Sequence, residues 1–286
     1  MPITLGTNVA SLQAQRRLGQ ASDKLASTFE RLSSGQRINK ASDDAAGLAI
    51  ADSLRADQRV AGVAIRNAND GISTITLADS ALGEIGNVLS RLAELAEQSA
   101  NGVFSVTQRS ALSNEFTALA SEVERIAATT EFNGVKLLSG NATVTLQIGF
   151  DASSTSQISY TGVSGTLSSL GLAANNSSVL TYSINGASTD AGQSAARATL
   201  DAVNNAIDSL ASTRGRLGAA EARLRVAINN LSVARENFAS AESRIRDVDV
   251  AAEAAELTRL GILQQAGAAV LAQANQQPSL ALSLLR

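Results

Sequence analysis

Closely spaced acidic pairs are the first candidates for chemistry in this chain. The pairs are Asp43/Asp44, Glu115/Glu122 and Asp247/Asp249. Two carboxylates serve as general acid and base only where they converge in a cleft that shifts their pKa values. These pairs fall at predicted helix joints or on helix faces, where solvated charge is the usual state. We therefore predict that the chain is not an enzyme and has no catalytic residues.

Common nucleophiles, bases and metal ligands are missing from the composition. The 286 residues include no Cys and no His, which removes thiolates, imidazole bases and the usual zinc ligands. Gly35, Lys40 and Ser42 resemble part of a phosphate-binding P-loop, but the second glycine and the preceding buried strand are absent. A salt-bridged joint between two helices accounts for the same residues. We predict no cofactor-binding site and no metal site.

A basic cluster raises the question of nucleic-acid binding. It consists of Arg214, Arg216, Arg223 and Arg225. Nucleic-acid binders usually carry an excess of positive charge and aromatic rings that stack on bases. Here the net charge is −3, aromatics make up 3% of the residues, and Glu221 interrupts the cluster. We predict no nucleic-acid partner and expect these arginines to pair with acidic residues on a neighbouring helix.

Nothing in the sequence predicts a membrane span or a cleaved signal peptide. No run of about 18 apolar residues occurs. Residues 1–15 contain no Lys or Arg, so the basic start of a signal peptide is absent. We expect no membrane insertion, and either a cytoplasmic location or export by a route that needs no such peptide.

Long helices dominate the predicted secondary structure. The only prolines are Pro2 and Pro278, so no proline breaks a helix between them. Apolar spacings of three, four and seven predict helices over residues 7–32, 42–99, 107–129 and 189–244. The last contains an unbroken heptad repeat, which predicts coiled-coil packing: Val203, Leu210, Leu217, Leu224, Leu231, Phe238 and Ile245.

The joints and the middle of the chain carry turn signals. Gly35 should end the first helix, and Ser42 should cap the second, placing Asp43 and Asp44 in its first turn. Asn133-Gly134 predicts a tight turn. Residues 143–185 are rich in Ser, Thr, Gly and Asn, and the alternating runs TVTLQI, SQISY and VLTYSI predict strands of a small β-hairpin region.

Both ends of the chain are amphipathic and uncharged. Residues 1–15 and 260–285 contain no charged side chain. Because soluble monomers seldom expose large apolar stripes, the ends are either disordered until they meet partners or paired within one subunit. We infer self-assembly with both ends innermost, and a bundle that buries its own ends is the alternative. The predicted filament-core residues are Leu18, Leu25, Leu32, Leu257, Leu260, Leu263, Val270 and Leu271.

Four segments resemble bacterial flagellins: ERLSSGQRIN, DDAAGLAIAD, FNGVKLL and QANQQPSLALSLLR. The resemblance covers about residues 1–140 and 190–286. It implies a mainly α fold, a long antiparallel helical rod or coiled-coil bundle with a small β-hairpin region, whose terminal helices form a filament core. The implied domains are 1–40 (core helix and joint), 41–142 (N-terminal half of the rod), 143–190 (outer β-hairpin region), 191–246 (C-terminal rod helix) and 247–286 (C-terminal core helix).

The resemblance also implies a function and partners. The chain would be a structural subunit that polymerises into the flagellar filament for swimming motility. It would be exported by the type III route without a cleaved signal peptide to the extracellular flagellum, with an export chaperone and cap and junction proteins as further partners. A hook–filament junction protein is one alternative. A surface-displayed glycan-binding protein of the same fold, with its site in residues 143–190, is another.

A contact patch is implied in the segment SRLAELAEQSAN, which resembles the flagellin segment recognised by Toll-like receptor 5. Arg91, Leu95 and Gln98 occur at i, i+4 and i+7, on one predicted helix face rotated away from the core stripe. Glu115 falls where the family has a further contact residue. The same face could instead meet the next subunit of a filament, and both contacts can hold, one in the monomer and one in the polymer.

Overall fold

Five helices make up most of the protein. The computed structural model describes residues 7–139, 143–160, 163–175 and 177–276, and the backbone of residues 277–284. The helices are α1 (Val9–Ser34), α2 (Ala45–Ala100), α3 (Val106–Thr129), α4 (Thr189–Arg246) and α5 (Val250–Leu284). Two antiparallel two-stranded sheets lie between α3 and α4 in the sequence: β1 (Glu131–Phe132) with β2 (Val135–Lys136), and β3 (Val144–Gln147) with β4 (Gln157–Tyr160). The mainly α fold class is confirmed.

The chain divides into two compact units. The first contains Met1–Gln58 and Glu236–Arg286, and the second contains Arg59–Arg235. The first is built on the two helices nearest the chain ends. The second holds the main apolar core, which is formed by side chains of α2, α3, α4 and the β region.

In the first unit, α1 and α5 pack along each other in opposite directions. Asn8 Nδ2 donates to the Ala274 carbonyl at 2.8 Å, and Gln264 Nε2 donates to Ser22 Oγ at 3.2 Å. Nearer the other end of the pair, Arg31 forms an ion pair with Glu253 at 3.9 Å. The described parts of the two chain ends therefore pair within one subunit, which decides between the two arrangements that the sequence left open.

Main-chain hydrogen bonds close the joint of the first unit. Gly35 has a φ of +71°, which ends α1 as predicted. Its carbonyl accepts from Val248 N at 3.1 Å, and Arg37 N donates to the Arg246 carbonyl at 2.6 Å. These two bonds hold the segment after α1 against the segment between α4 and α5.

The predicted capping of α2 by Ser42 was wrong. Asp44 Oδ1 accepts from Gly47 N at 2.9 Å, so Asp44 is the cap and α2 begins at Ala45. Asp43 lies before the helix, where its Oδ2 accepts from Asn39 N at 3.1 Å and Lys40 N at 3.0 Å. Asp44 caps α2 in place of Ser42 because the residues before it form a turn that the Asp43 carboxylate closes.

The heptad residues of α4 that belong to the second unit are all buried, as the repeat predicted: Val203, Leu210, Leu217, Leu224 and Leu231. The first four, Val203 to Leu224, share one core with Leu82 and Leu89 of α2 and with Phe116 of α3. Arg214 lies four residues after the heptad residue Leu210, and its Nε donates to Asp79 Oδ1 of α2 at 2.7 Å. The expected pairing with a neighbouring helix is confirmed for Arg214. It was wrong for Arg225, whose Nη2 donates at 2.6 Å to Glu221 one turn earlier on the same helix, and Arg216 donates to Thr213 Oγ1 rather than to a carboxylate.

The β region contains two of the three predicted strands. TVTLQI and SQISY supply β3 and β4, and Asn133-Gly134 forms the β1–β2 turn with φ values of +48° and +76°. The predicted strand in VLTYSI was wrong, since that segment forms only an isolated bridge between Leu180 and Ala173. Helix side chains take the place of a strand partner: Ser99 Oγ donates to the Ile184 carbonyl at 2.6 Å, and Thr199 Oγ1 donates to the Ser183 carbonyl at 3.0 Å.

Candidate functional site

The α1–α5 pair carries the eight residues predicted for the filament core, and it buries them unequally. Leu260 is 2% exposed, whereas Leu263 is 47% and Val270 is 59% exposed. The other five are half-buried: Leu18, Leu25, Leu32, Leu257 and Leu271. The pair therefore has a packed seam and, beside it, an apolar face that stays open to water.

A groove runs between the two helices. Its volume is about 540 Å³, and its apolar lining includes Leu18, Ala21, Leu260, Leu263, Gly267 and Val270. Arg17, Lys24 and Arg259 lie at its edges. Apolar surface that no other part of the same unit covers is typical of a protein–protein contact.

A second candidate surface lies on α2 and α3 in the second unit. Arg91 Nη2 donates to Glu115 Oε1 at 2.8 Å, and its Nε donates to the same oxygen at 3.1 Å. Arg91 Nη1 also donates to Glu94 Oε2 at 2.7 Å. Hydrogen bonds to Glu94 and Glu115 raise the pKa of Arg91 above its ordinary value. The fold thus brings together two of the patch residues that the sequence separates by 24 positions.

Leu95 does not lie on this exposed face. It is 0% exposed, although Arg91 before it and Gln98 after it are exposed. The expectation of a fully exposed face was therefore wrong at this position. Leu92, Leu95, Ala96 and Ser99 are all buried because α2 contributes to a core that also contains α3 and α4, so its buried stripe is wider than one partner would require.

Comparisons with known proteins decide the family. Residues 5–143 match the bacterial flagellin N-terminal helical region, and residues 200–285 match the bacterial flagellin C-terminal helical region. A flagellin of Halalkalibacterium halodurans is 42% identical over 280 residues, 98% of each chain. A flagellin of Bacillus subtilis is 40% identical over 301 residues, again 98% of each chain. The chain belongs to the bacterial flagellin family.

This flagellin is a structural subunit that polymerises into the flagellar filament, an extracellular appendage used for motility. The junction-protein and glycan-binding alternatives are not favoured, since the relatives that match along the whole chain are flagellins. A crystal structure of Bacillus cereus flagellin is 25% identical, with a TM-score of 0.48, and the match covers 58% of this chain and 88% of that chain.

Several apolar residues of this flagellin's exposed face were missed by the sequence analysis. They are Val9, Leu12 and Phe29 on α1 and Ile262 on α5, all exposed. They are not among the apolar positions from which the filament-core residues were predicted. Large apolar residues outside those positions were the signal that could have revealed them.

Most carboxylates of the three acidic pairs have structural partners. Glu115 accepts from Arg91, and Glu122 accepts from Arg125 Nε at 2.7 Å. Asp249 Oδ1 accepts from the main-chain nitrogens of Ala251 and Ala252 at 3.0 and 3.1 Å, which caps α5.

The P-loop-like residues also have a structural role, since Lys40 Nζ donates to Glu30 Oε2 at 2.7 Å. Within the described ranges, no group of three or more acidic side chains is placed to hold a metal ion. A search of those ranges likewise finds no helix that combines the length and apolarity of a membrane span.

Proposed function

We propose that the open apolar face of α1 and α5 is the surface through which copies of this flagellin join in the filament core. The observation that carries the proposal is the contrast between Leu260, which is buried in the seam, and Leu263 and Val270, which are exposed beside it. A neighbouring copy would remove these side chains from water. Burial stabilises by about 1.5–3 kcal/mol for each large apolar side chain.

A helical filament requires contacts between different surfaces of the same chain, since identical surfaces that pair would close into a dimer. The groove between α1 and α5 is one such surface, and the exposed side chains of Val9 and Leu12 near the start of α1 would supply the other. On this proposal residues 1–40 and 247–286 form the filament core. Residues 41–142 and 191–246 then form the helical rod domain, and residues 143–190 form an outer β-hairpin region.

The double substitution Leu263→Gln and Val270→Gln tests this function. Both side chains are exposed in the monomer, so the helical dichroism and melting temperature should stay near those of the parent. Polymerisation should fail, as seen by negative-stain electron microscopy after salt-induced assembly. Val179→Gln is the matched control, because Val179 is an exposed valine outside the helices. Filaments from the double variant at parental yield would contradict the proposal.

We propose a second contact function for the patch on α2 and α3. Arg91, Gln98 and Glu115 would touch Toll-like receptor 5 in the free monomer and a neighbouring subunit in the filament, with Leu95 supporting them from the core. The support is the family resemblance of this segment together with the hydrogen bonds between Arg91 and Glu115. Leu95 is assigned a supporting role because it has no exposed surface.

Family membership supports the remaining partners. We propose that an export chaperone, a cap and junction proteins bind this flagellin, and that it leaves the cell through type III export without a cleaved signal peptide. We also propose that it has no catalytic activity, since Asp44 and Asp249 cap helices and Glu115 and Glu122 form ion pairs.

A further inference from the structure

Arg109 on α3 is a buried cation held by main-chain carbonyls. The residue is 0% exposed. Its Nε donates to the Ser99 carbonyl at 2.9 Å, its Nη2 to the Asn101 carbonyl at 2.9 Å, and its Nη1 to the Thr189 carbonyl at 2.7 Å. These three described acceptors come from the last turn of α2, the residue directly after α2, and the first residue of α4.

The acceptors explain how a buried charge is tolerated here. A charge taken out of water must be compensated by hydrogen bonds or by opposite charge. The last carbonyls of a helix lack partners within the helix and carry the negative end of its dipole. Because α2 ends at Ala100, the Ser99 carbonyl is one of these groups. The guanidinium carries donors on three separate nitrogens in one rigid plane, whereas all the donors of a lysine are on one nitrogen. A lysine therefore cannot reach the same three carbonyls.

We propose that Arg109 is a positioning residue that fixes the end of α2 on α3 and α4, and so keeps Arg91 and Gln98 in register with Glu115. This inference rests on the proposed contact function of that patch. The link is short in the chain: Gln98 directly precedes Ser99, whose carbonyl the guanidinium binds, and Glu115 lies on the same helix as Arg109.

A glycine on α4 gives an independent indication that the site is built around the guanidinium. Gly192 is buried in the first turns of α4. A Cβ atom at this position would lie 3.1 Å from Arg109 Nη1 and 3.2 Å from its Cδ. Three hydrogen bonds hold the guanidinium in place, so it cannot move aside as a free side chain could. The absence of a side chain at residue 192 therefore leaves the space that the guanidinium occupies.

The three hydrogen bonds from Arg109 to the carbonyls of Ser99, Asn101 and Thr189 are called the clamp. Hydrogen exchange of the monomer tests the clamp itself. In Arg109→Lys, the amides of residues 98–104 and 184–190 should exchange faster, while those of β3 and β4 stay as in the parent. Val123→Ala is the control, because Val123 is a fully buried residue of the same helix and its truncation lowers stability without touching the clamp. Exchange at residues 98–104 that is no faster in Arg109→Lys than in this control would overturn the proposal.

The direction in which Gly192→Ala shifts the melting temperature is a second test of the clamp. Alanine normally favours a helix over glycine, so a site without a clamp predicts a higher melting temperature. With the guanidinium held in place, the melting temperature should fall. In an Arg109→Ala background the same change should raise it, because the obstructing group is gone. A rise in both backgrounds would overturn the clamp.

Assembly then tests whether the clamp serves the patch. Arg109→Lys should raise the protein concentration needed for polymerisation, and adding Arg91→Ala to it should raise that concentration less than Arg91→Ala does in the parent. Fully additive effects, or faster exchange with unchanged assembly, would overturn the positioning role. If Arg91→Ala alone leaves both assembly and receptor signalling unchanged, the proposed contact function of the patch fails, while the exchange result still reports on the clamp.

Discussion

Arg91 of α2 and Glu115 of α3 are joined by two hydrogen bonds to one carboxylate oxygen, at 2.8 and 3.1 Å. Both side chains are half-exposed, and water and salt screen such an ion pair, so it contributes little to the free energy of unfolding. The pair is therefore a consequence of how α2 and α3 pack rather than its cause. The ion pair is a surface feature, so substitutions of Arg91 or Glu115 should alter the patch without destabilising the core beneath it.

Truncation of Leu95 should unfold the protein more readily than truncation of Arg91. Leu95→Ala removes a fully buried side chain and should cost about 2–5 kcal/mol. Arg91→Ala removes an exposed, solvent-screened ion pair and should lower the free energy of unfolding much less. Urea unfolding followed by circular dichroism measures both values. Equal losses would place Leu95 on the surface, against the structure.

Arg91→Ala and Glu115→Ala should weaken signalling through Toll-like receptor 5 by the monomer while leaving its melting temperature close to that of the parent. The reason is that both changes alter the exposed patch and leave the core intact. A receptor reporter assay measures the signal. Arg225→Ala is the control, because Arg225 is an exposed arginine paired with Glu221 at 2.6 Å on α4. Signalling that falls equally in the control would argue against a specific patch.

Removal of residues 260–286 should abolish filaments and leave the second unit folded. The buried heptad residues of α4 pack within that unit, and none lies in the deleted segment. The loss exposes the face of α1 that α5 covers and removes the groove between them. Sedimentation and circular dichroism should report a helical monomer. Filaments of any form under negative stain would refute the assembly surface proposed for α1 and α5.

Gly71→Ala should fail to give the stabilisation expected from helix propensity. Replacing a helical glycine by alanine stabilises by up to about 1 kcal/mol where space allows. At Gly71 the new Cβ would lie 2.2 Å from Leu146 Cδ1, so the β3 side chain must move. Gly83→Ala is the control, since nothing lies within 4 Å of a Cβ there. The prediction fails if both variants gain equally in melting temperature.

The Asp79–Arg214 pair should contribute to stability in a pH-dependent manner. The hydrogen bond from Arg214 lowers the pKa of Asp79 below its ordinary value. The contribution is therefore present above the unfolded-state pKa of about 3.9 and is lost as the pH falls through the lower folded-state pKa. Because the pair is half-exposed, the contribution should not exceed about 1 kcal/mol. The difference in unfolding free energy between parent and Asp79→Asn should shrink below about pH 4, and Arg214→Gln should show the same trend.

Local patterns in the sequence determined the helices and the family. The heptad repeat from Val203 to Leu231 predicted a buried stripe, because a sevenfold apolar repeat places its members on one helix face whatever that face packs against. Gly35 and Asn133-Gly134 predicted a helix end and a turn, since positive φ is a property of the residues themselves. The flagellin motifs at both ends predicted the polymer.

Tertiary structure decided what depends on partners distant in the chain. Leu95 is buried because α2 joins a core shared with α3 and α4, which the spacing within α2 does not reveal. The segment VLTYSI is not a strand because the hydroxyls of Ser99 and Thr199 donate hydrogen bonds to two of its carbonyls. The two chain ends pair because α1 and α5 pack along each other, which buries Leu260 and brings Asn8 to the Ala274 carbonyl. Arg109 reads as an ordinary surface residue in sequence, and only the meeting of three helix segments turns it into a buried clamp.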